Sequence, residues 1–169
     1  MTDLKKQLET IFTDLNERID AINKERREDG GRHISKAEVK LLGQMSLLVN
    51  DKVSMLLSLA QTADMDALLD MDPLVKKELT EILKKQGLIY DEDSPKVWIP
   101  KGTKYEDVFD FKNVRVKSID PESALVSKAV KAPKKNKHLI REAIASGKFS
   151  GLVERIEKNG GNLMFFAED

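Results

Sequence analysis

The chain has no cysteine among its 169 residues, so disulfides, zinc–thiolate centres and a cysteine nucleophile are all excluded. It has only two histidines, His33 and His138, which excludes a histidine-rich metal site. It has no excess of one charge. The 29 basic and 29 acidic residues cancel, so any attraction to nucleic acid or membrane must come from a local patch. No apolar run approaches the roughly 20 residues that a membrane-spanning helix needs. The opening residues Met1-Thr2-Asp3-Leu4-Lys5-Lys6 lack the apolar core of an export signal. These absences together point to a cytoplasmic protein with no membrane partner.

What is present can build a core, since 40% of the residues are hydrophobic, and the length fits one compact domain. Three stretches make it up: an amphipathic helix over 1–29, an α/β core over 34–120 and a helical region over 121–169. In the first, Leu4, Leu8, Ile11, Leu15, Ile19 and Ile22 recur at spacings of three and four. Thr2 reads as its N-cap, and Gly30-Gly31 as a loop that stops it. The apolar stripe either packs on the body or forms a dimer or partner contact. A short strand over 37–43 ends at Gly43. Residues 44–60 suit helices broken near Asn50-Asp51, and Asp72-Pro73 opens a helix that closes at Gly87. Period-two patterns then predict strands at Leu88-Ile89-Tyr90, Val97-Trp98-Ile99, 105–111 and 114–119. Helices follow over about 121–131, 135–146 and 149–158, and Leu163-Met164-Phe165-Phe166 should dock on the core. The fold class is therefore α+β: a small mixed sheet flanked by helices, with a long N-terminal helix and a helical C-terminal region.

Two aspartates stand one residue apart in Thr62-Ala63-Asp64-Met65-Asp66-Ala67-Leu68. On a strand, residues i and i+2 share a face, so Asp64 and Asp66 would project together. Adjacent carboxylates repel unless a cation lies between them, and hard oxygen ligands suit Mg²⁺. An exposed turn is the plainer alternative.

Strand, glycine turn, helix, Asp-x-Asp strand and long helix, in that order, resemble the nucleotidyltransferase superfamily, and most of all its small bacterial members of the abortive-infection and toxin–antitoxin type. The matching residues are Leu41-Leu42-Gly43-Gln44-Met45-Ser46, then Thr62-Ala63-Asp64-Met65-Asp66, then the strand and Pro-Glu…Lys element running from Val114 through Pro121-Glu122 to Lys128. They span roughly residues 37–145. The resemblance implies an enzyme that moves a nucleotide monophosphate from a nucleoside triphosphate to an RNA, protein or small-molecule acceptor. Asp64 and Asp66 would hold Mg²⁺, which bridges triphosphate oxygens and activates the attacking group. Gly43 would let backbone N–H groups and the following helix start approach phosphate, Ser46 would add a hydrogen bond, and Lys128 would supply positive charge. Gln44 replaces the second small residue of the turn, and it either obstructs phosphate or donates to it. The third carboxylate is assigned to Asp110, with Glu106 and Asp107 behind it; without a third acid, a degenerate fold that has lost catalysis remains an alternative.

Lys128, Lys131, Lys134, Lys135, Lys137, His138 and Arg141 form a basic cluster. It would hold the phosphates of an RNA acceptor or a triphosphate, or else is a solvated loop. Trp98 and Tyr105 either stack on a base or pack in the core. A different class of function is a winged-helix nucleic-acid-binding protein. There the helix over 73–86 would read DNA with Lys76, Lys77, Lys84 and Lys85, and Leu88-Ile89 with Val97-Trp98-Ile99 would form the wing. Asp91, Glu92 and Asp93 at the wing tip oppose that reading, because they would repel phosphate.

Overall fold

A computed structural model describes residues 2–167. The longest element is α1 (Asp3–Glu28). Thr2 caps it by accepting a hydrogen bond from Lys5 N at 3.1 Å. The stripe Leu4, Leu8, Ile11, Leu15 and Ile19, joined by Phe12, is buried within this chain's own core, and Ile22 packs at its margin. The stripe is thus covered intramolecularly, which leaves α1 no apolar seam for a dimer. Asn23, also buried, accepts from Ile34 N at 2.7 Å and ties the end of α1 to the segment entering the sheet.

The elements that follow are β1 (Ala37–Leu41), α2 (Gly43–Leu48), α3 (Asp51–Leu56), β2 (Asp64–Met65), β3 (Ala67–Asp70), α4 (Pro73–Lys85) and β4 (Ile89–Tyr90). Then come β5 (Tyr105–Asp110), β6 (Val114–Ile119), α5 (Pro121–Lys131), α6 (Lys137–Ser146), α7 (Leu152–Lys158) and α8 (Leu163–Ala167). The fold is α+β. Four strands form a mixed sheet in the order β3-β1-β6-β5, with β1 and β6 parallel and both outer pairs antiparallel. A second, two-stranded sheet pairs β2 with β4 in parallel.

Alternation along the strands sorts the chain into two cores. Val39, Leu41, Val114 and Val116 face α1 and α4, where Val75, Leu79, Ile82 and Leu83 complete one cluster. Ile119 joins Leu42, Leu47, Val53, Leu125, Ile140, Leu152 and Ile156 in another, to which Phe166 of α8 adds its ring. This second core crosses position 120, so the helical C-terminal region and the α/β portion are packed as one body.

Two expectations fail here. Val97-Trp98-Ile99 is not a strand. Pro95 lies in a short 3₁₀ turn (Ser94–Lys96), Val97 N donates back to Ser94 O at 3.0 Å, and the Trp98 carbonyl accepts from Ser127 Oγ at 2.8 Å rather than from a ladder partner. Prolines at 95 and 100 limit the donors this stretch can offer a sheet. The wing is absent for the same reason, since β4 pairs with β2 instead of returning as a hairpin. Lys76 of the would-be recognition helix is engaged by Glu92 at 2.9 Å.

Candidate functional site

The parallel central strands β1 and β6 end side by side, Leu41 opposite Ser118, and each runs directly into a helix, α2 through Gly43 and α5 through Asp120-Pro121. Ligands of α/β sheets commonly bind outside the carboxyl ends of such strands. A cleft of about 170 Å³ opens there, lined by Gly43, Asp66, Trp98, Ser127, Lys128 and neighbouring lysines of α5 and its following turn.

Gly43 has φ +56°, a left-handed conformation that a side chain would strain. A Cβ at this position would lie 2.8 Å from Asp66 Oδ2, so glycine is also what allows the carboxylate to approach the turn. Asp66 marks the point where the chain leaves the two-stranded sheet at Met65 and enters the main sheet at Ala67. Its backbone is held on every side. Leu42 N donates to Asp66 O at 2.8 Å, Asp91 N to Met65 O at 2.9 Å, and Tyr90 Oη to Ala67 O at 2.9 Å. The buried Ser94 hydroxyl accepts from Ala67 N at 3.0 Å and donates to Asp91 O at 2.6 Å.

The acid beside Asp66 is therefore Asp91. The carboxyl group of Asp66 is pushed up to about 6, first by burial, then by a hydrogen bond with the Asp91 carboxyl and by that group's charge. Lys128 opposes the shift and Asp64 adds a little to it. Asp64 itself is exposed. The two acids of the Asp-x-Asp motif thus differ: one is half-buried against Gly43 and Asp91, the other is exposed and does not line the cleft. Lys128 is half-buried, and burial and the like charge of Lys135 lower its pKa, against the pull of Asp66.

The structure brings Gly43, Asp66 and Lys128 together and leaves others apart. Asp110 pairs with Arg115, three residues along β6 from Ser118 and hence roughly 10 Å from the strand end that bears the cleft. Lys36 at 2.6 Å and Arg115 hold its carboxyl below the usual range, a surface ion-pair role, so Asp110 is not the third acid. Ser46 is buried, and its hydroxyl donates to Gly43 O at 2.6 Å, bracing the turn rather than facing the cleft. Gln44 donates to Ala60 O at 2.8 Å and does not line the cleft. Of the basic cluster, Lys128, Lys131 and Lys135 line the cleft. Lys137 lies over the Phe165 ring at 4.7 Å, and His138 is 3.7 Å from Glu142. Sequence reasoning missed Asp91 and Ser94. The available signal was that Asp91 directly follows the strand Ile89-Tyr90 after the long helix.

The donor set suits Mg²⁺ in one particular way. Among the described residues no three His, Cys, Asp or Glu side chains converge as a metal cage. Asp66, which lines the cleft, and its neighbour Asp91 are nonetheless two hard-oxygen groups side by side, and Mg²⁺ is commonly held by one or two carboxylates together with substrate phosphates. Among the described residues no helix is long and apolar enough to cross a membrane. Comparison with family models, with curated proteins and with solved structures gave no match.

Proposed function

We propose that this protein is a nucleotidyltransferase-type enzyme that moves a nucleotide monophosphate from a nucleoside triphosphate to an acceptor at the Gly43–Asp66–Lys128 cleft. The observation that carries the reading is the closeness of Asp66 to Gly43, with a second carboxyl on one side and three lysines around the cleft. Such transfer needs positioned charge more than covalent chemistry. Asp66 and Asp91 would hold Mg²⁺. The ion supplies charge neutralisation on the triphosphate and a lowered pKa for the attacking group. Lys128, Lys131 and Lys135 neutralise phosphate oxygens, and the side-chain-free turn at Gly43 keeps the Asp66 carboxylate close beside them.

One observation favours a second reading, a degenerate fold that binds nucleotide without transferring it: among the described residues no third protein ligand completes a cage. A single experiment separates the two. Calorimetry with Mg²⁺ and each nucleoside triphosphate is run on the wild type and on Asp66→Asn, followed by an assay for pyrophosphate release with RNA and protein acceptors. Binding that depends on Asp66, with release, supports the enzyme, and binding without release supports the degenerate form. No binding at millimolar nucleotide rejects both.

A further inference from the structure

Trp98 is the chain's one tryptophan, and it lines the same cleft as Gly43, Asp66 and Lys128. Its indole is half-buried, and Lys131 Nζ lies over the ring, 5.3 Å from the centroid. The segment that carries it has no strand partners, yet it is pinned at both ends. Ser127 Oγ donates to the Trp98 carbonyl at 2.8 Å, which fastens it to α5. Val97 N donates to Ser94 O at 3.0 Å, and the same serine's hydroxyl holds Asp91 and Ala67. The backbone that carries the ring is thus tied to Ser94 on one side and to the lysine-bearing helix on the other. The indole packs on the second core and also borders the charged cleft, with Lys131 over its face.

We infer that Trp98 is the platform on which the nucleobase of the triphosphate stacks, an inference that rests on the nucleotidyltransferase reading and adds to it the class of ligand. Every base presents a π-face, and aromatic side chains bind bases through it. A cation over the indole is held by the same electron-rich face. The incoming base displaces Lys131, which lies one helical turn beyond Lys128 and moves onto the phosphates. A purine covers more of the indole than a pyrimidine does, so purine nucleoside triphosphates are the expected ligands.

The test separates base from phosphate. Adenosine triphosphate and inorganic tripolyphosphate, each with Mg²⁺, are titrated by calorimetry into the wild type, Trp98→Ala and Trp98→Phe, and the emission of the single tryptophan is followed in the wild type. Stacking predicts that adenosine triphosphate quenches the emission. It also predicts that Trp98→Ala weakens adenosine triphosphate by about tenfold or more while leaving tripolyphosphate unchanged, and that Trp98→Phe retains most of the affinity. If both ligands bind and Trp98→Ala weakens both equally or neither, stacking is overturned while the phosphate site stands. If Trp98→Ala does not fold, absence of quenching in the wild type, or loss of adenosine triphosphate affinity in Trp98→Phe equal to that for tripolyphosphate, overturns it instead. If neither ligand binds the wild type, the parent reading fails and the stacking fails with it.

Discussion

The molecule has a second and larger concavity, about 680 Å³, between the start of α1, the α2–α3 corner, β5 and the Lys148-Phe149 loop. Its charges are balanced: Lys5, Lys52 and Lys148 against Asp51, Glu106 and Asp107. Lys5 lies 3.3 Å from Asp51 and holds that carboxyl below its usual range, a settled ion pair. In the 170 Å³ cleft, three lysines surround one half-buried acid, the acid is driven upward by burial and a neighbouring acid, and Lys128 is driven downward. The larger space is where the chain leaves room. The smaller one is where the fold holds groups in states they would not choose, which is the mark of a site that works on a charged ligand.

That contrast can be broken most decisively through activity. Asp66→Asn and Asp91→Asn should each lower nucleotidyl transfer by about 100-fold or more, in line with the loss of one electrostatic stabiliser, while Glu106→Gln leaves the rate unchanged. A steady-state assay of pyrophosphate release measures both. Equal losses at the two concavities would end the distinction.

Stability sharpens it. Ser94→Ala leaves the buried Ala67 N–H without its acceptor and frees Asp91, so it should cost about 1–3 kcal/mol in urea unfolding. Gly43→Ala forces a side chain into a left-handed turn and against Asp66, and should cost about 1–2 kcal/mol by the same measurement.

Asp66 gives a pH signature opposite in sign to that of Asp51 in the balanced concavity. Its folded pKa, about 6, lies above the ordinary value of about 3.9, so the native state holds the proton more tightly than the unfolded chain. Its stabilising contribution is complete below about pH 4 and is lost as pH rises through about 6. Allowing for its partial exposure, the penalty at pH 7 is about 1 kcal/mol, so Asp66→Asn should melt about 2–4 °C higher than the wild type at pH 7 and at the same temperature near pH 4. Mg²⁺ should raise the wild-type melting temperature at pH 7 and leave Asp66→Asn unmoved. The smallest effect is expected at the larger concavity, where Lys52→Ala or Lys148→Ala should change stability by no more than about 0.5 kcal/mol. Thermal scans across pH read all of these.

Much of the frame was legible beforehand. The three-and-four spacing of α1, the Asp72-Pro73 start and Gly87 stop of α4, and the alternation in β6 all appear as expected. These are local signals, written within a few residues of the structure they produce. Gly43, Asp66 and Lys128 were identified in advance and meet in one cleft. Asp110 was chosen because it lies on a strand after the long helix. It lies away from the cleft, because strand membership does not say which end of the sheet a residue occupies. Val97-Trp98-Ile99 has a strand's composition, but Ser94 and Ser127 gave its backbone other hydrogen-bond partners, and the prolines beside it limit its donors.

The amino-acid order alone fixed the helix faces, the caps and the glycine turn, because each depends on neighbours a few positions away. Only the folded chain decided that Asp91 rather than Asp110 joins Asp66, that a hidden serine couples the acids to the tryptophan, and that the lysines divide between the cleft and other partners. Those outcomes depend on which strand lies beside which and in what register, and that is set by how the whole chain satisfies its buried polar groups at once.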